Sequence, residues 1–146
     1  MEGSCIVHVH EIRSHVEQMR GQSVRVLGRV TATDPDSPFV TIAYGHDHRG
    51  HGHAQHELLV DTRLIGSLAR HGAKSLFQFV AQVEDIQEDI AHKNPFVLRF
   101  LNANPHIKVF LNARIMRSMD GLDINLFEKA LVARRVFDAQ RAQLNF

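Results

Sequence analysis

The sequence has one cysteine, one tyrosine, four prolines and no tryptophan in 146 residues. A lone Cys5 cannot close an internal disulfide and offers no CxxC pair for a metal or redox centre, which fits a reducing compartment rather than secretion. No apolar run approaches the roughly 20 residues that cross a bilayer, and charges and histidines interrupt residues 1–20 where a signal peptide would carry its core, so no membrane is expected. An excess of one charge is also missing. The 17 Lys+Arg nearly cancel the 16 Asp+Glu to leave a formal charge of +1, which excludes a basic chromatin tail and an acidic disordered one and makes any nucleic-acid site local. What remains is the composition of a globular chain, 44% hydrophobic and 23% charged. Its length suits one domain that buries about 68–70% of the unfolded surface.

Residues 5–9 read as extended, and Ile12, Val16 and Met19 follow at spacings of four and three, which suggests one short helix or an irregular lead-in over residues 1–20. From Ser23 to Thr33 the chain alternates, with Val24, Val26, Gly28 and Val30 on one face, and this is the first strand. Gly28 in mid-strand is expected to mark a bulge or bend. The turn chemistry of Asp34 to Pro38 joins it to a second strand at Phe39–Tyr44. Glu57–Asp61 gives a third strand, and Thr62 can cap a short helix carrying Leu64, Ile65, Leu68 and Ala69. The fourth strand spans Ser75 to Ile86 at a central sheet position. Residues 87–106 read as loop-like at QEDIAHKN, with a helical turn or strand fragment from Pro95 to Leu101. In the fifth strand, Ile107 to Arg117, the row Ile107, Val109, Leu111, Ala113 and Ile115 should face inward. Asp123 then caps a long helix over 123–144 with a broad apolar stripe. Five strands with a helix between the third and fourth is the order of the OB-fold, a five-stranded Greek-key barrel, here mainly β with helices. A five-stranded α+β sandwich stays open. The expected division is a single domain over 1–146, with the barrel at 21–118 and the long helix closing it.

The most metal-like stretch is His46, His48, His51, His53 and His56, where imidazoles two and three apart can converge on Zn²⁺ or Ni²⁺. Its glycine-rich loop lacks the two anchored segments and second shell that a structural site uses, so a polar connection is the plainer reading and no metal or other cofactor is expected. Cys5 lacks a base-and-oxyanion arrangement, Asp85, Glu88 and Asp89 sit at a strand edge, and Gly50-His51-Gly52 has no Walker lysine, so no enzyme is indicated. Arg25 and Arg29 share one face of the first strand, and Lys108, Phe110 and Arg114 one face of the fifth. Of these, Arg25, Lys108, Phe110 and Arg114 suit phosphates and a stacked base of a single strand. The same residues also suit a plain solvated sheet face. The long helix is the stronger signal, because Leu126, Leu131, Val136 and Phe137 exceed what one side of a small barrel can cover, and a second helix would shelter the surplus.

Three stretches together carry a family resemblance: Ser23 to Val30 with Gly28-Arg29, the passage Leu58 to Leu64 reading LLVDTRL, and Met119 to Phe137 reading MDGLDINLFEKALVARRVF. In their order and spacing they resemble the small OB-fold (Ten-one) subunits of the telomere-capping CST complex, related in role to the small subunit of replication protein A. The resemblance spans most of residues 21–141. It implies a non-catalytic nuclear subunit at chromosome telomeres, which heterodimerises through its C-terminal helix with the middle OB-fold subunit of the complex. It also implies a larger subunit and, as part of the assembly, single-stranded telomeric DNA. Family interface positions fall at Arg29, Met116, Leu126, Leu131, Arg135, Val136 and Phe137. A replication-type small subunit and a metal-binding module built on the histidine loop are the alternatives. The histidine loop and the insertion around 92–104 are longer than the resemblance leads one to expect.

Overall fold

A computed structural model describes residues 5–44, 56–66 and 75–144. Among them the strands are β1 (Cys5–Val7), β2 (Ser23–Thr33), β3 (Phe39–Ala43), β4 (Glu57–Asp61), β5 (Leu76–Asp85) and β6 (Val109–Ser118). The helices are α1 (Val9–Ser14), α2 (Val16–Met19), α3 (Glu88–Lys93), α4 (Pro95–Ala103) and α5 (Ile124–Leu144). The strands form one sheet in the order β1-β2-β3-β4-β6-β5, and β5 pairs back onto β2, so β2 to β6 close into the five-stranded OB barrel. All ring pairings are antiparallel except β4 with β6. That parallel pair needs a long crossover, and β5 is built into it. Strand β1 runs parallel to the start of β2, outside the ring.

Alternation in β2 puts Val24, Val26 and Val30 into the core beside Ile42, Phe77, Phe79 and Leu111. Gly28 has a different duty from the expected bend. A Cβ there would lie 2.8 Å from Cδ1 of Ile42, so glycine lets β2 come close enough for Ile42 to fill the barrel. The irregularity between β2 and β3 falls beyond it, between Val30 and Ala32.

A second irregularity corrects the inward row expected for β6. Val80 pairs with Ile115 but Ala81 pairs with Ala113, so Arg114 is an extra residue. One inserted residue exchanges the two faces of a strand. Val109, Leu111 and Ala113 point inward as expected, whereas Ile115 is turned out at 57% exposure and Met116 takes the place against the core.

The lead-in is β1 followed by the two short helices α1 and α2. The stretch QEDIAHKN, expected to be loop-like, holds α3, and from Pro95 the helical alternative is the one taken, as α4. The Asn94 side chain accepts from the backbone N–H groups of Phe96 and Val97, Pro95 takes the first turn, and Phe96, Val97 and Phe100 are buried. Helix α3 buries only Ala91, so its sequence carries no apolar period to read. Of the helix expected after Thr62, the described part is a turn that ends at Gly66 with φ +85°, while Leu68 and Ala69 lie outside the described residues. Among the described residues no helix is long and apolar enough to cross a membrane.

Candidate partner surface

After β6 the chain turns back through Met119 and Asp120. The Met119 N–H donates to the Leu76 carbonyl at 2.8 Å, and the Leu76 N–H donates to the Asp120 carboxylate at 2.9 Å. Asp123 accepts the Leu126 N–H at 3.1 Å and caps α5 as expected. Helix α5 then rests on the molecule along one stripe. Ile124 and Phe127 pack on the core, and Leu131 is 7% exposed. Glu128 and Arg135 continue the stripe at helical spacing and make its polar contacts.

These contacts tie three distant segments together. Nε2 of His8 lies 2.8 Å from Oε1 of Glu128 and Nδ1 of His8 lies 2.9 Å from Oε1 of Glu11, so the ring sits between two carboxylates. The Tyr44 hydroxyl donates to Glu128, and burial together with that carboxylate pushes the phenol above its ordinary range. Arg135 donates to Glu11 at 2.9 and 3.2 Å and to the Ile6 carbonyl at 2.9 Å. Burial by itself would raise the Glu11 carboxyl, but the donors from Arg135 and from the His8 backbone and ring outweigh it and hold the group down at about 2.

The opposite side of α5 is bare among the described residues. Leu126 is 64% exposed, Phe137 58% and Leu144 83%, with Val132 and Val136 also more than half exposed. Leu126, Ala130, Ala133, Phe137, Gln140 and Leu144 follow one another at steps of four and three, and all are exposed. That is the spacing of a helix-to-helix seam, with two alanines where a second backbone could approach closely.

The site residues expected from sequence therefore divide. Leu126, Val136 and Phe137 lie on the bare side, and Arg29 is exposed on β2. Leu131 does not, because it is the buried anchor of the docked stripe. Arg135 spends its guanidinium on its own N-terminal segment, and Met116 packs against the core. Ala130, Ala133 and Leu144 belong to the seam, and the four-and-three spacing was the signal for them. Nothing in the sequence links Glu128 to His8, which lie 120 positions apart.

The expected nucleic-acid set divides as well. Arg25, Lys108 and Arg114 are exposed. Phe110 is only 6% exposed, held edge-on to Phe39 with ring centroids 5.6 Å apart, so it presents no face for a base to stack on. The reason is the start of β3, which brings Phe39 over it. Lys108 stands where α4 runs into β6, its carbonyl accepting from Ile86, well along the strand from Arg114. Of the histidine loop only His56 is described, and His46, His48, His51 and His53 lie outside the described residues. Among the described residues no group of three or more His, Cys, Asp or Glu could hold a metal.

Known proteins with this architecture give it a context. The chain is similar to a chain of the Schizosaccharomyces pombe Stn1-Ten1 complex, with a TM-score of 0.60 at 11% identity over 92% of this chain and 93% of that one. It is similar to the telomere-capping protein Ten1 from the same organism, with a TM-score of 0.58 at 11% identity over 91% and 98%. It is also similar to Ustilago maydis replication protein A bound to single-stranded DNA, with a TM-score of 0.55 at 13% identity over 96% and 97%. At such identities the likeness is one of fold. No curated protein sequence matches the chain. The sequence model described as "Telomere-capping, CST complex subunit" matches residues 1–141, and by that match the chain belongs to the family of telomere-capping CST complex subunits, non-catalytic structural components rather than enzymes.

Proposed function

We propose that this chain is the small subunit of its complex, pairing with the middle OB-fold subunit through the bare side of α5 and so supporting single-stranded telomeric DNA binding at chromosome ends in the nucleus. The observation that carries the reading is the apolar strip Leu126, Val136, Phe137 and Leu144 on a helix whose other side is already docked. Full burial of side chains of this size contributes about 1.5–3 kcal/mol each. The sum is of the order of the 4–15 kcal/mol that association costs, so the partner's own apolar side chains must add to it.

DNA contact belongs to the assembly in this reading, which includes the larger subunit. With Phe110 buried, the chain offers cations but no ring at the positions expected for stacking. A replication-type role shares the fold and the pairing mode. The middle subunit that co-purifies from native extract distinguishes the two.

The test is complex formation with the middle subunit by the double substitution Leu126→Ser and Phe137→Ser. Both side chains are exposed, so the free chain keeps its circular dichroism and melting temperature while the complex is lost. A complex that survives the double change with unaltered affinity would refute the pairing mode.

A further inference from the structure

The outer face of β2, β5 and β6 carries an exposed feature that the docking of α5 leaves unused. Reading across the strands, Arg25 stands opposite Val80, Val80 opposite Ile115, and Gln78 opposite Arg117. Neighbouring strands are about 4.8 Å apart, so Arg25 and Ile115 are separated by roughly 10 Å. Arg114 is the extra residue of the bulge, and the same bulge turns Ile115 outward to 57% exposure. Arg25, Arg114 and Arg117 are all exposed around this aliphatic centre.

The charge on this face is one-sided. Among the described residues no carboxylate pairs with any of the three arginines, and the contact of Arg114 is with the Gln82 amide oxygen at 2.7 Å. The other outward positions of these rows are Ser23, Leu27, Gln78, Gln82 and Asn112, all uncharged, and of these Leu27 is buried. The carboxylates at its margins have partners of their own: Glu84 accepts from Asn112 at 2.6 Å, Asp85 pairs with Arg20 at 2.6 Å, and Asp120 accepts the Leu76 N–H at 2.9 Å.

We propose that this face docks an acidic amphipathic segment of a partner protein, laying an apolar side chain on Val80 and Ile115 and carboxylates on Arg25, Arg114 and Arg117. Guanidinium forks match carboxylates in pairs of hydrogen bonds, and an aliphatic centre gives such a segment an anchor. A nucleic acid fits less well, because single strands are held by exposed aromatic platforms, and the one aromatic ring on these rows, Phe110 opposite Glu84, is buried edge-on against Phe39. The site is separate from the seam on α5.

The test uses the full chain, its assigned amide spectrum, a short synthetic peptide of alternating glutamate and phenylalanine, and an oligothymidylate. The peptide should bind saturably, shift the amides of Arg25, Val80, Ile115 and Arg117, and weaken as salt is raised. Ile115→Ser, and separately Arg25→Glu with Arg117→Glu, should each weaken it about tenfold, with the spectrum of the barrel core unchanged. Absence of binding, shifts confined to α5, or affinity indifferent to both variants would overturn the proposal. So would displacement of the peptide from these amides by a lower concentration of oligothymidylate, which would make the face a nucleic-acid site instead. Pairing with the middle subunit should persist in both variants, so that its loss through α5 substitutions and the loss of peptide binding report on different surfaces.

Discussion

Two residues show how much rests on single side chains. Gly28 is required by the 2.8 Å approach of Ile42 to the place where a Cβ would stand. Gly28→Val should cost about 1–3 kcal/mol of stability in a denaturant titration, and Ile42→Val in the same chain should recover part of that loss. Glu11 is the other. Its carboxyl is held at about 2 against an ordinary 4.5, so the folded state gains from its ionised form above pH about 4.5 and loses that gain as the pH falls towards 2. Because the group is partly exposed, solvent screening leaves about 1 kcal/mol at most. A melting-temperature series over that range should slope downward with acid, and Glu11→Gln should flatten the slope. The sequence announced Gly28 as special but not why, since the reason lies on another strand. It gave no hint of Glu11, whose partner Arg135 comes from the far end of the chain.

At the scale of elements, legibility followed local pattern. Strands β2 and β5 and helix α5 have clear alternation, a cap or helical spacing, β4 is a short apolar run between polar ends, and the ranges of all four matched expectation closely. Helix α3 did not, because it buries a single alanine. The reversal in β6 was hidden for a different reason, since alternation in the text continues through Ile115 while the bulge at Arg114 depends on pairing with β5. Helix α5 was readable as amphipathic but not as two-sided, and only the structure sorted Leu131 and Arg135 to the docked stripe and Leu126 and Phe137 to the bare one. That sorting is testable. Leu131→Ala should cost about 2–3 kcal/mol in the isolated chain by emptying the anchor, whereas Leu126→Ser should leave its denaturation midpoint within about 0.5 kcal/mol.

For the whole molecule, closure of the ring by β5 against β2 makes the barrel a cooperative unit, with the core spread over all five of its strands. Hydrogen exchange should accordingly be slowest in β2 and β5, which pair with each other from Ser23 to Arg29 and with further strands beside them, whereas β4 and β6 meet only at Val60–Asp61. The same measurement should find residues 136–144 of α5 exchanging rapidly in the free chain and slowly in the complex.

The last anchor of α5 is Arg135, and every described residue beyond it is exposed. Nine more residues carry the helix about 13 Å further at 1.5 Å each. A stretch of that length gains little from its own hydrogen bonds in water, so its helical state in the free chain should be marginal. In the pairing proposed above, the companion's grip keeps this stretch wound and out of the reach of proteases. The amount of this subunit in a cell should then follow the supply of its companion, with orphan copies cleared and assembled ones enduring.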